Sequence, residues 1–224
     1  MRLLLIRHGQ TPANVRGELD TAAPGPGLTA LGHAQAVALP VALAHEPIGA
    51  VFASSLTRTQ QTAQPLADAL GVPLAVLPGV HEVEGGDFEM ATDHESYRRY
   101  FEVAIAWGGG RRQVRMPGAE DGDAFFDRFD ASIAAAASTG AETIAVVTHS
   151  VSIRVWVSGT AKNLDPAFTV DKELDNTGMV VLEGSPADGW DFVSWHGEPL
   201  GGRNLADELA EDPTGDPLDE ELST

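Results

Sequence analysis

Two short apolar runs constrain this chain most. Arg2–Ile6 delivers Arg7-His8-Gly9, and Ile144–Thr148 delivers His149-Ser150. Apolar runs of this length, stopped by polar or turn residues, fit strands buried on both faces of a sheet. Helical patterns separate them and the other strand-like pieces. One begins near Thr29, its expected cap, with Pro40 expected to kink or end it; another covers Leu56–Leu70 and is closed by Gly71 and Pro73. Thr92–Trp107 and Ala119–Ser138 follow, and a helix is predicted from Ile153. Ala50–Ala53 and Leu74–Leu77 read as further strands, and Met179–Leu182 and Phe192–Trp195 as late strands able to run antiparallel. Alternating strands and helices predict a three-layer α/β/α sandwich around a mostly parallel sheet.

Ligands of such sheets bind beyond the carboxyl ends of the strands. Three strand ends here carry chemistry: Arg7-His8, Ser54-Ser55 with Arg58 one turn on, and Thr148-His149. The loop after Leu77 adds a run of carboxylates, Glu82, Glu84 and Glu89. Two histidines, two arginines and a carboxylate converging on one crevice would suit phosphoryl transfer without a metal. A histidine attacks phosphorus, guanidinium groups neutralise the oxygens, and a carboxylic acid protonates the leaving oxygen.

Composition narrows the alternatives. The net charge of −19 opposes nucleic acid and anionic membranes as partners, and it leaves an anionic substrate dependent on local positive charge. The absence of cysteine removes disulfides and thiolate chemistry, and a cytoplasmic location is the default expectation. The opening MRLLLIRHG is too short for a secretory signal and reads as a strand. No His-Glu-x-x-His helix is present and the histidines fall singly, so no metal or other cofactor is expected. Arg98, Arg99, Arg111, Arg112 and Arg115 form a basic cluster, either a solvated face paired with carboxylates or, in part, a reach over the site to the distal end of an anionic substrate. From Gly197 to Thr224 nine carboxylates face one arginine, which predicts a flexible acidic tail (197–224), with a short helix able to form across Asn204–Glu211.

Five elements occur in one order along the chain. They are Arg7-His8-Gly9-Gln10-Thr11-Pro12-Ala13-Asn14; Leu28-Thr29-Ala30-Leu31-Gly32-His33-Ala34-Gln35-Ala36; Ser54-Ser55-Leu56-Thr57-Arg58 running to Thr62-Ala63; Glu82-Val83-Glu84-Gly85-Gly86-Asp87-Phe88-Glu89; and His149-Ser150-Val151-Ser152-Ile153-Arg154. Together they resemble the signature of the histidine phosphatase superfamily, with its phosphoglycerate-mutase-like fold. The resemblance implies that His8 becomes phosphohistidine. It implies that Arg7, Arg58 and His149 hold the phosphoryl oxygens with support from Asn14 and the Ser150 amide, and that Glu82 is the general acid and then the base. Gln10 either touches phosphate or caps a turn. A carbonyl near Gly9 is expected to fix the His8 tautomer.

On this reading residues 1–196 form the catalytic domain, and 91–118 are a lid or insert. The expected activity is hydrolysis of a small phosphorylated metabolite. The alternatives are a phosphoglycerate-mutase-type transferase and a non-catalytic binder of phosphorylated ligands. The chain departs from the family pattern in three places. Met90 stands after Phe88-Glu89 where the family has glycine, Ser150-Val151 replaces Gly-Gly, and Ala22–Gly27 makes a longer turn near the expected mouth. Oligomeric state is not legible in the sequence.

Overall fold

A computed structural model describes residues 1–207 and 209–217. Six strands, β1 (Arg2–Arg7), β2 (Ala50–Ala53), β3 (Leu74–Val76), β4 (Thr143–Thr148), β5 (Met179–Ser185) and β6 (Gly189–His196), form one sheet in the order β3-β2-β4-β1-β5-β6. The β3-β2-β4-β1 half is parallel, and β5 and β6 add antiparallel strands beside β1. The helices are α1 (Pro12–Val15), α2 (Ala30–Ala42), α3 (Thr57–Leu70), α4 (His94–Gly108), α5 (Gly122–Ala137) and α6 (Ser150–Thr160).

Strand alternation divides the core in two. Leu3, Leu5, Ile144 and Val146 face the aromatic side chains of α4, α5 and α6, whereas Leu4, Ile6, Ala145 and Val147 face Leu39 and Leu43, from α2 and its C-cap, and Ala63 and Leu66 of α3. Helices therefore cover both faces, which is why the two central strands read as continuous apolar runs rather than alternating ones. The α2 face needs close contact with the β1 loop. A Cβ on Gly32 would lie 2.2 Å from the Gln10 carbonyl oxygen, so only glycine fits.

Trp156 of α6 is fully buried, stacks on Phe129 at 5.0 Å between ring centroids, and donates its indole N–H to Asp130 at 2.7 Å. Trp156→Ala is expected to destabilise the protein by about 3–5 kcal/mol, read as a lower urea midpoint at unchanged slope.

Most predicted elements appear within a few residues. The largest difference is at α6, which begins at Ser150, three residues before the predicted Ile153 start. Its first turn is capped from a distant segment, by the Glu82 carboxylate accepting from Val151 N (3.2 Å) and Ser152 N (2.7 Å), and no local pattern signals that. The α2 helix passes Pro40 by two residues, so the proline falls in its last turn. Helix α1, with its Thr11–Asn14 capping box, was not among the predicted elements. Across Asn204–Glu211 the structure shows a single 3-10 turn, Arg203–Leu205, with residue 208 outside the described residues. The most acidic end of the expected tail, 218–224, also lies outside them. Among the described residues no helix is long and apolar enough to cross a membrane.

Candidate active site

Register assembles the site. β1 and β4 pair in parallel with Arg7 opposite Thr148, so the next residue on each strand is a histidine at the same level. The His8 amide donates to the Thr148 carbonyl (2.9 Å), and the two imidazoles meet edge-to-face at 5.3 Å between centroids. β2 lies on the far side of β4 and ends at Ser54, whose hydroxyl is 2.8 Å from His149 Nε2. Arg58, in the first turn of α3, points back under the same strand ends and lines a cavity with His8, Asn14, Asp20, Glu82 and Tyr100.

His8 Nδ1 lies 2.8 Å from the Gly9 carbonyl. A carbonyl can only accept, so Nδ1 carries the proton and Nε2 keeps its lone pair. Burial, then the charges of Arg58 and Arg7, holds the His8 pKa well below that of a free imidazole. The His149 pKa is lowered in the same way, by burial first and then by Arg58. Both rings are therefore neutral near pH 7.

That sets a sign for pH. The unfolded chain takes up protons near pH 6.5 while the buried rings do not, so their contribution to stability is complete above about pH 6.5 and is lost as pH falls toward the lowered folded values. Urea midpoints should fall between pH 7.5 and 5.5, and the drop should shrink in His8→Ala. Full retention of the drop would contradict the buried neutral ring.

Glu82 is buried, and its Oε1 is saturated by Val83 N (2.8 Å), Ser152 N (2.7 Å) and Ser152 Oγ (2.7 Å). Oε2 carries only the 3.2 Å bond from Val151 N, which leaves it as the oxygen able to hold a proton. The loop that carries Glu82 is held by Arg128 of α5. Its guanidinium donates to the carbonyls of Gly79, His81 and Glu82 and pairs with Glu120 at 2.5 Å. Glu84 and Glu89, the other carboxylates of this run, lie elsewhere. Glu84 is 3.5 Å from His81 at a wider mouth, and Glu89 accepts from the amides of Thr21 (2.9 Å) and Ala22 (3.0 Å).

The structure thus brings together Arg7, His8, Asn14, Arg58, Glu82 and His149. Gln10 is turned away from them. It accepts from the Thr29 hydroxyl (2.7 Å) and donates to Asp207 (2.8 Å). The Ser150 hydroxyl donates to the Thr214 carbonyl at 2.5 Å. The basic cluster does not reach the site through Arg98, Arg99 or Arg115, which pair with Glu95, Glu102 and Asp121.

Four residues at the site were not singled out from sequence. Asp20 faces Arg58 (3.3 Å), its pKa raised mainly by burial. Asn176 donates to the His8 carbonyl (3.2 Å). Asp212 and Thr214, from the acidic segment, both accept from Arg7, at 2.5 and 2.9 Å. Each belongs to a loop, and none has a sequence neighbour that marks it.

Comparison with known proteins identifies the family. The family model of the histidine phosphatase superfamily (branch 1) matches residues 3–197. The PE-PGRS family protein PE_PGRS11 of Mycobacterium tuberculosis is 41% identical over 217 residues, 89% of this chain and 37% of that protein. The adenosylcobalamin/alpha-ribazole phosphatase of Salmonella typhimurium is 39% identical over 107 residues, 48% of this chain and 52% of that one. The chain thus spans only about a third to a half of the length of these relatives. Among solved structures, a mycobacterial glucosyl-3-phosphoglycerate phosphatase in complex with VO3 shares the fold at a TM-score of 0.73 and 23% identity, covering 88% of this chain and 99% of that one. The alpha-ribazole phosphatase of Shigella flexneri superposes at a TM-score of 0.66 and 27% identity, covering 90% and 98%. With the family model matching residues 3–197 and the fold shared, this chain belongs to the histidine phosphatase superfamily.

Proposed function

We propose that the chain is a metal-independent phosphomonoesterase that hydrolyses a small phosphorylated metabolite through a phosphohistidine on His8. The observation that carries this reading is a set of buried nitrogens without hydrogen-bond partners, Arg7 Nε, Arg58 Nε and His149 Nδ1, gathered around the neutral His8 ring. Buried N–H groups are rarely left unpaired, and unpaired guanidinium donors on residues whose charges act on His8 suit an oxyanion ligand. In the first step His8 Nε2 bonds to phosphorus, the P–O ester bond breaks, and Glu82 passes its proton to the departing oxygen. In the second, a water gives its proton to Glu82, its oxygen bonds to phosphorus, and the P–N bond breaks to release orthophosphate.

The wider mouth supports hydrolysis of an uncharged alcohol phosphate over a phosphoglycerate mutase reaction. This cavity of about 520 Å³ shares Thr21 with the catalytic one and is lined by Ala22, Leu56, Pro78, His81, Glu84 and Glu89, among others, with no lysine or arginine among the described lining residues. A substrate carboxylate would find only like charge there. The relatives named adenosylcobalamin/alpha-ribazole phosphatase and glucosyl-3-phosphoglycerate phosphatase support hydrolysis as the reaction class.

Phosphate release in EDTA from a panel of phosphomonoesters tests this. Release from neutral alcohol phosphates, at a kcat/KM above that for phosphoglycerates, is the expected result. Retention of the phosphoryl group with exchange between phosphoglycerates would overturn the reading in favour of the mutase.

A further inference from the structure

We infer that residues 212–216 are an intramolecular ligand of the phosphate site, with the Asp212 carboxylate seated on Arg7 where it competes with phosphate oxygens. This rests on the reading of Arg7 as a phosphate ligand. Asp212 Oδ2 accepts from Arg7 Nη2 at 2.5 Å, and Oδ1 accepts from Asn14 Nδ2 at 3.2 Å. Both donors belong to the set assigned to the phosphoryl group. A carboxylate bridging a guanidinium and an amide presents the same planar pair of anionic acceptors as two phosphate oxygens.

The carboxylate is presented by a closed turn. Asp212-Pro213-Thr214-Gly215 is joined by Gly215 N donating to the Asp212 carbonyl (3.0 Å), with the Thr214 hydroxyl 3.0 Å from Asp212 Oδ1. Asp, Pro and Gly stand at the turn positions they favour. The turn is then fixed to the body. Arg154 donates to the carbonyls of Gly215 (3.0 Å) and Asp216 (3.1 Å), and Leu174 N donates to Gly215 (2.8 Å). Backbone and guanidinium touch so closely that a Cβ on Gly215 would lie 2.6 Å from Arg7 Nη1.

With the segment in place, the cavity at His8, lined also by Thr214, is about 20 Å³. That is room for a water and too little for a phosphate. A phosphoryl group on Arg7 Nε would have to fit into that space beside the like-charged Asp212 carboxylate on Nη2, so substrate binding and segment docking oppose each other. The apparent affinity for phosphate is then reduced by the fraction of molecules in which the segment is docked.

The test is orthophosphate binding by calorimetry, with KM for p-nitrophenyl phosphate in parallel, on the full chain and two variants. Asp212→Asn is isosteric and removes the competing charge. Gly215→Ala keeps the charge and drives a methyl group into Arg7. Both are expected to bind orthophosphate at least about tenfold more tightly and to lower KM more than they change kcat. Unchanged or weaker orthophosphate binding in Asp212→Asn overturns the proposal, because the carboxylate would then be neutral or helpful to the ligand. Tighter orthophosphate binding with no ester hydrolysed by any of the three proteins supports the docked segment while removing the hydrolase reading. No orthophosphate binding by any of them removes Arg7 as a phosphate ligand and the proposal with it.

Discussion

His8→Ala should abolish turnover, lowering kcat by about 10⁴-fold or more, because it removes the atom that bonds to phosphorus. The loss should appear with every ester, whatever its leaving group, since the phosphorylation step is common to all. A stronger result comes from trapping. Wild-type protein incubated with a ³²P-labelled ester and quenched in alkaline detergent should carry an acid-labile, base-stable label, and His8→Ala should carry none. Label retained in the variant would move the nucleophile elsewhere. The neighbouring ring of His149 is turned so that its Nε2 is engaged by Ser54, which is itself bonded to Thr59.

Glu82→Gln should separate the substrates by leaving group. For an alkyl phosphate the departing alkoxide needs a proton, and loss of the acid is expected to lower kcat by about 10²–10⁴-fold. For p-nitrophenyl phosphate the leaving group departs without one, and the loss should stay within about tenfold. Glutamine keeps an oxygen at the Oε1 position to accept from Val83 and Ser152 and loses only the long bond from Val151, so α6 should remain folded, which a thermal melt will check. Equal losses on both esters would mean that Glu82 acts through the helix cap alone. Arg128→Ala offers a graded version of the same experiment, since it releases the loop without touching the carboxylate.

How far the site was legible follows from where its parts sit. Arg7, His8 and His149 are at the ends of fully buried strands, and a buried strand leaves a strong signature: four apolar residues, then a polar one with nowhere else to go. Arg58 and Asn14 were legible through the resemblance, on helices whose starts the sequence marks less clearly. Gln10 sits beside the same strand end yet faces Thr29 and Asp207, because the chain turns at Gly9 and one residue of turn reverses a side chain. The partners supplied by loops, Asp20, Asn176 and Asp212, were invisible. Their chemistry comes from long-range closure, and nothing within ten residues of them distinguishes one carboxylate from its neighbours. For Asp212 the signal is further buried in composition, since the segment that carries it is acidic throughout.

The position of β1 in the sheet has a consequence for biosynthesis. The strand lies between β4 and β5, so neither of its hydrogen-bonding edges has a partner until Thr143–Thr148 and then Met179–Ser185 have been made. At about 5–20 residues per second, Leu3–Ile6 must wait roughly 7–28 s after its own synthesis for the first of them. During that time an apolar, β-prone stretch with two open edges is exposed to other nascent chains. The flanking Arg2 and Arg7 are the charges that stand guard over it, so the guanidinium that later grips phosphate also serves, before there is any site, as a gatekeeper against aggregation.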